Sequence, residues 1–174
     1  MAIDIRDAVE ADLAAIVKIY NSTVPTRRVT ADTEQVSVES RRAWFWEHDP
    51  GSRPIWVAEI DGEIAGWLSL SDFYDARPAY HATAEVGVYV AEVHRRRGVG
   101  RRLLEEAIRR GPALGIKTLT AGAFAHNGPS LKLFEAFDFE PWAHFPRVAE
   151  LDGVERDLVV LGLRIDAPRP PIPE

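Results

Sequence analysis

Hydrophobic and polar positions change their period several times along the chain, and each change predicts an element. Ile3 and Ile5 alternate with polar neighbours, which predicts a short first strand. Leu13, Ile16, Val17 and Tyr20 then follow i, i+3, i+4, i+7, a helical stripe with Asp12 in front as a cap. Residues 22–36 are polar and without period, and read as a loop. Ser37 is placed to cap a second helix running to Glu47, stopped by Pro50 and Gly51. Residues 55–60 and 63–70 read as two strands joined by the Asp61-Gly62 turn. A loop covers 71–82, and 84–90 (AEVGVYV) is a β-branched strand. Leu103, Leu104, Ala107 and Ile108 mark a third helix, and 117–123 a further strand. Pro129 stands at the opening of a short helix over 130–137. Residues 145–151 and 154–165, joined by Asp152-Gly153, read as a closing hairpin.

The order β-α-α-β-β-β-α-β-α-β-β predicts one α/β (α+β) domain, a mixed sheet of about seven strands flanked by about four helices. That domain spans residues 1–166. Residues 167–174 (APRPPIPE) hold four prolines in eight positions and read as an extended tail.

Composition narrows the chemistry. With 46% hydrophobic and 28% charged residues, the chain is an ordinary globular protein rather than a disordered one. The absence of cysteine excludes disulfides, thiolate metal sites and a cysteine nucleophile. None of His48, His81, His94, His126 and His144 forms an H-E-x-x-H pair, so no metal is expected. No apolar run is long enough for a membrane span, and the N-terminal residues carry acids rather than a signal-type apolar stretch, so a cytoplasmic protein without membrane contact is expected. The net charge of -6 argues against a nucleic-acid partner. Against that average, residues 94–102 read HRRRGVGRR, five arginines in nine positions, which points to a small anionic ligand.

That basic stretch links the 84–90 strand to the third helix. Gly98 and Gly100 allow backbone conformations and close approach that side chains block, and helix-start amides attract anions. G-x-x-x-x-G-K-[ST] is absent, and Leu103 stands where a dinucleotide fingerprint needs its third glycine. What remains is R-x-x-G-x-G at 95–100, between a strand and a helix.

This motif, with the element order, resembles the GNAT acyltransferase superfamily over about residues 2–165. Within it the chain is most similar to the phosphinothricin N-acetyltransferase-like group, through Arg77-Pro78-Ala79-Tyr80, Thr83, Glu85, Val88-Tyr89-Val90, Asn127-x-x-Ser130 and Phe137-Asp138-Phe139. The resemblance implies an acetyl-CoA-dependent N-acetyltransferase. It implies that the backbone at Val88, Tyr89 and Val90 meets the acetyl and pantetheine portion. The loop Arg95, Arg96, Arg97, Gly98, Val99, Gly100 and Arg101 is expected to hold the pyrophosphate. Asn127 is expected on the pantetheine arm, with Ser130 close behind. It also implies a homodimer.

Acetylating an amine needs a base for its proton, and Glu85 at the start of an apolar strand is the candidate. A cysteine-free chain forms no acyl-cysteine, which favours direct transfer. Arg77 and Tyr80 are expected to bind the acceptor, which the resemblance implies is an amino-acid-like compound such as phosphinothricin or methionine sulfoximine. Phe134 stands where related enzymes carry a proton donor, so either the thiolate leaves unassisted, as a thiol pKa of about 8.5 allows, or Tyr89 or His126 serves. The rival readings are an acetyltransferase for a protein N-terminus or polyamine-like amine, and a CoA-binding sensor without catalysis. A nucleic-acid module, resting on HRRRGVGRR alone, is more distant.

Overall fold

The computed structural model describes residues 2–166; the proline-rich 167–174 expected as a tail lies outside them. Seven strands form one sheet: β1 (Asp4–Asp7), β2 (Ile55–Ile60), β3 (Glu63–Asp72), β4 (Thr83–Val90), β5 (Thr118–Phe124), β6 (Glu140–Leu151) and β7 (Val154–Arg164). Their order is β1-β2-β3-β4-β5-β7-β6. The helices are α1 (Leu13–Thr23), α2 (Val38–Glu47), α3 (Val99–Arg110) and α4 (Gly128–Glu135).

Both faces of the sheet are covered, as its alternating apolar residues require. On one face Ile55, Val57 and Trp67 pack with Leu13, Ile16 and Val17 of α1 and Phe45 of α2. On the other, Leu68, Leu70, Val86 and Leu119 pack with Val99, Leu103, Leu104 and Ala107 of α3 and Phe134 of α4.

All neighbouring strands are antiparallel except β4 and β5. These two are parallel and share a ladder only where Thr83–Glu85 faces Thr118–Thr120. Beyond Glu85, β4 stays paired to β3 as far as Val90, while β5 stays paired to β7 as far as Phe124. The sheet therefore opens between β4 and β5, leaving one edge of the β4 backbone without a strand partner there.

Three local expectations need correction. Asp12 does not cap α1 with its side chain. Its carboxylate accepts the Val9 N–H at 2.8 Å and two Arg6 nitrogens at 2.7 and 3.0 Å, so it locks β1 to the helix entry instead. α4 begins at Gly128 because Asn127 caps it, its Oδ1 accepting the Ser130 N–H at 3.3 Å. β6 begins at Glu140, ahead of the expected 145, because register breaks at 141–143 and 145–149 erase its alternation.

Candidate active site

Two cavities meet at the open part of the sheet. The larger, about 860 Å³, is bounded by Val88, Tyr89 and Val90 of β4, the 94–101 loop and helix start, Asn127 and Ser130 at the head of α4, and Thr26, Arg28 and Val29 from the segment after α1. Gly98 caps α3 with φ +85°, a left-handed conformation that costs glycine nothing. Arg96 also has positive φ, at 59°. These turns and the following helix start form an amide-rich, cationic rim suited to an anion. Gly100 serves a different need. A Cβ there would lie 3.3 Å from Leu133 Cδ2 and 3.5 Å from Val90 Cγ2, so its absence lets α3 approach β4 and α4.

The smaller cavity, about 200 Å³, lies on the α1–α2 face of the sheet. Strand alternation builds its floor: Trp67, Ser69 and Ser71 of β3 stand opposite Tyr89, Gly87 and Glu85 of β4. Ile16, Val17 and Tyr20 of α1, with Arg41 and Trp44 of α2, form the walls. Trp67 stacks on Tyr89 with ring centroids 4.3 Å apart and is T-shaped to Trp44 at 5.7 Å. Tyr89 lines both cavities.

Glu85 is wetted by the cavity, yet protein atoms around the cleft replace enough of its water to raise its pKa above the ordinary carboxylate value. It makes no hydrogen bond or ion pair among the described residues. Tyr89 is deeply desolvated, and the negative charges of Asp32 and Glu85 add to a strong upward shift of its hydroxyl, so it stays protonated. Asp32 accepts hydrogen bonds from the Tyr20 hydroxyl and from Arg41 Nη2, the latter at 2.9 Å. Trp44 sits edge-on to His48, which bridges the Trp44 carbonyl through Nδ1 at 2.8 Å and Ser71 Oγ through Nε2 at 3.3 Å. A carbonyl only accepts, so Nδ1 carries the proton. Burial lowers the His48 pKa and keeps the ring neutral.

Most of the residues expected from the sequence converge here. Glu85 and Tyr89 line the small cavity; Val88, Tyr89, Val90, Arg95, Arg96, Gly98, Val99, Gly100, Arg101, Asn127 and Ser130 line the large one. Arg97 does not line it, and its Nη1 donates to His94 Nδ1 at 3.2 Å. Arg77 and Tyr80, expected on the acceptor, line neither cavity. They lie on an exposed loop, where Tyr80 packs against Phe73 and Tyr74. Phe134 is buried in the core against Phe139 and reaches neither cavity. His126 spends Nε2 on the Arg27 carbonyl at 2.7 Å and is outside both linings.

The sequence reading missed Tyr20, Asp32 and Arg41. The signal for Arg41 was its place at i with Trp44, Phe45 and His48 at i+3, i+4 and i+7, a cation on the inward face of α2.

The model of the acetyltransferase (GNAT) family matches residues 14–139. The chain belongs to the GNAT acetyltransferase family. YwnH of Bacillus subtilis (strain 168), provisionally named a phosphinothricin acetyltransferase, is 52% identical over 159 residues, 91% of this chain and 96% of that protein. An L-methionine sulfoximine/L-methionine sulfone acetyltransferase of Pseudomonas aeruginosa (strain PAO1) is 33% identical over 97% of this chain and 98% of its own length. The crystal structure of a GNAT superfamily phosphinothricin acetyltransferase from Sinorhizobium meliloti in complex with acetyl-CoA superposes with a TM-score of 0.89, at 27% identity, covering 95% of this chain and 89% of that one. This GNAT protein is an acetyl-CoA-dependent N-acetyltransferase, and its mixed seven-stranded sheet with four helices is the fold expected from the element order. Among the described residues, no helix is long and apolar enough to cross a membrane.

Proposed function

We propose that this enzyme transfers the acetyl group of acetyl-CoA directly to the amine of a small amino-acid-like acceptor, in the class of phosphinothricin or methionine sulfoximine. The observation that carries the reading is that an anion-suited cavity and a small, aromatic-walled cavity holding an unpaired carboxylate share one wall, Tyr89. The names of the relatives point to the same acceptor class.

In this reading the large cavity takes acetyl-CoA. The 95–101 amides and the Arg95, Arg96 and Arg101 side chains receive the pyrophosphate, and Arg97 supports that field from outside the lining. Asn127 caps α4 through Oδ1 and turns its remaining polar capacity to the pantetheine arm, beside Ser130. The open edge of β4 at Val88–Val90 offers backbone groups to the pantetheine amides and to the thioester oxygen as it gains charge.

Glu85 accepts the amine proton, directly or through a cavity water, while the amine nitrogen attacks the thioester carbon. Its raised pKa brings its basicity closer to the task, and its lack of an ion-pair partner leaves its oxygens available. As the carbon–sulfur bond breaks, the hydroxyl of Tyr89, which lines both cavities, is the candidate donor to the departing sulfur. Phe134 supplies no proton and is needed for packing instead. We further propose that the domain spans 1–166 with 167–174 appended, that it works in the cytoplasm where its acetyl donor is made, and that it forms a homodimer. The exposed Trp142, Phe145 and Val148 of β6 support the last point.

The test is a thiol-release assay with acetyl-CoA and a panel of amino acids, peptides and polyamines. Turnover concentrated on methionine sulfoximine-like amino acids is the expected result. Turnover on peptides or polyamines alone refutes the acceptor class.

A further inference from the structure

Arg41 is out of place for an ordinary helix face. It shares the inward face of α2 with Trp44 and Phe45, and it lines the small cavity. Its side chain is only 28% exposed. Its Cζ lies 4.9 Å from the Tyr20 ring centroid and 5.8 Å from that of Trp44. Asp32 holds Nη2 at 2.9 Å and is itself held by the Tyr20 hydroxyl. Nε and Nη1 make no hydrogen bond among the described residues. The remaining N–H groups of the guanidinium thus have no protein acceptor there, which leaves them open to a ligand that enters the cavity. Here the fork is already oriented by two rings and one carboxylate, so little rotamer entropy remains to be lost on binding.

The same cavity holds Glu85, an anion with no cationic partner. A cation and an anion on one small cavity match a zwitterion: an ammonium toward Glu85 and an acid group toward Arg41. A polyamine would bring a second cation against Arg41. A protein N-terminus has an amide where a free amino acid has its carboxylate. Arg77, the arginine the sequence motif favoured, lies outside this wall.

We infer that Arg41 is the carboxylate-recognition residue of the acceptor cavity, receiving the α-carboxylate of a free amino acid at the guanidinium N–H groups that Asp32 leaves unfilled. The inference rests on the reading of that cavity as the acceptor site. Asp32 and Tyr20 act as positioning residues, fixing the guanidinium in place. Specificity then comes from charge-assisted hydrogen bonds that a carboxylate accepts and that an ester, an amide or a second ammonium does not match.

The deciding experiment is steady-state kinetics on wild type, Arg41→Gln, Arg41→Lys and Arg77→Gln. Acceptors are methionine sulfoximine, its methyl ester, and the matching amine without the carboxylate. Wild type is expected to favour the free acid. Arg41→Gln is expected to raise its KM by about 10- to 100-fold, the weight of a charged hydrogen-bonded pair, with a much smaller change in kcat. The KM for the ester and for the amine should change by a much smaller factor than that for the free acid, and Arg41→Lys should fall between. Retained thermal stabilisation by acetyl-CoA shows each variant folded. Equal losses on all three acceptors, or a KM effect that follows Arg77→Gln instead, overturns the role of Arg41. Wild-type turnover indifferent to the carboxylate overturns the recognition while leaving the acetyltransferase reading intact. No turnover on any amine overturns the acceptor-site reading and the inference with it.

Discussion

Glu85 carries opposing demands on a single side chain. Its folded pKa is raised, so the folded protein holds that proton more tightly than the unfolded chain does. Stability from this group is therefore fully present below the unfolded carboxylate pKa and is lost as pH rises through the folded value. Glu85→Gln is expected to reduce kcat by about 10²- to 10⁴-fold and to remove the acid limb from the kcat/KM profile. The same variant is expected to melt higher than wild type at pH 8, with the difference vanishing near pH 4, followed by thermal scans across that range. Glu85 was legible in the chain because one acid opened an apolar strand. Arg41 was not, because loop residue Asp32 and helix residue Tyr20 give it meaning only after folding brings them together.

At the scale of elements, α3 shows how close packing makes a binding site. Gly100 lies within van der Waals reach of β4 and α4, where even a Cβ is tight against Leu133. Gly100→Val is expected to cost about 1–3 kcal/mol from overpacking and to raise the KM for acetyl-CoA, read by denaturant melts and kinetics in parallel. Stability loss without any KM change would separate this packing from the cavity. The helices and most strands were legible because a 3.6 or 2.0 period survives wherever one face meets a core; α3 buries Val99, Leu103, Leu104 and Ala107 in that pattern. β6 was partly hidden because it is an edge strand with two register breaks and almost no buried residue, so no alternation was imposed on it.

For the whole molecule, the segment after α1 ties distant parts together. Arg27 reaches from it to Asp152 in the β6–β7 turn at 2.7 Å, and its carbonyl accepts from His126 beside α4. Neighbouring Thr26, Arg28 and Val29 line the large cavity, while Val36 lines the small one. Asp152 is 63% exposed, so the pair contributes little to global stability. Asp152→Asn, which keeps a residue suited to the turn's positive φ of 52° and removes only the charge, is expected to leave the melting temperature nearly unchanged yet raise the KM for acetyl-CoA by about 2- to 5-fold at low salt. High salt should shrink that difference by screening the pair in wild type. A KM unaffected at both salt levels would show that the hairpin turn does not support the cavity wall.

The chain by itself determined the elements, the R-x-x-G-x-G anion loop, the asparagine at the head of α4 and the candidate base. Each depends on local spacing, on what a glycine or proline permits, or on which face of an element meets the core. Only the tertiary structure decided that β4 and β5 run parallel and part after Glu85, because strand partnership there joins residues as far apart in the chain as Thr83 and Thr118. It alone brought two cavities to a common wall at Tyr89 and set Arg41 rather than Arg77 against the smaller one. Spacing along a sequence records the direction a side chain leaves its own element, and the neighbour it meets there is a property of how the elements pack.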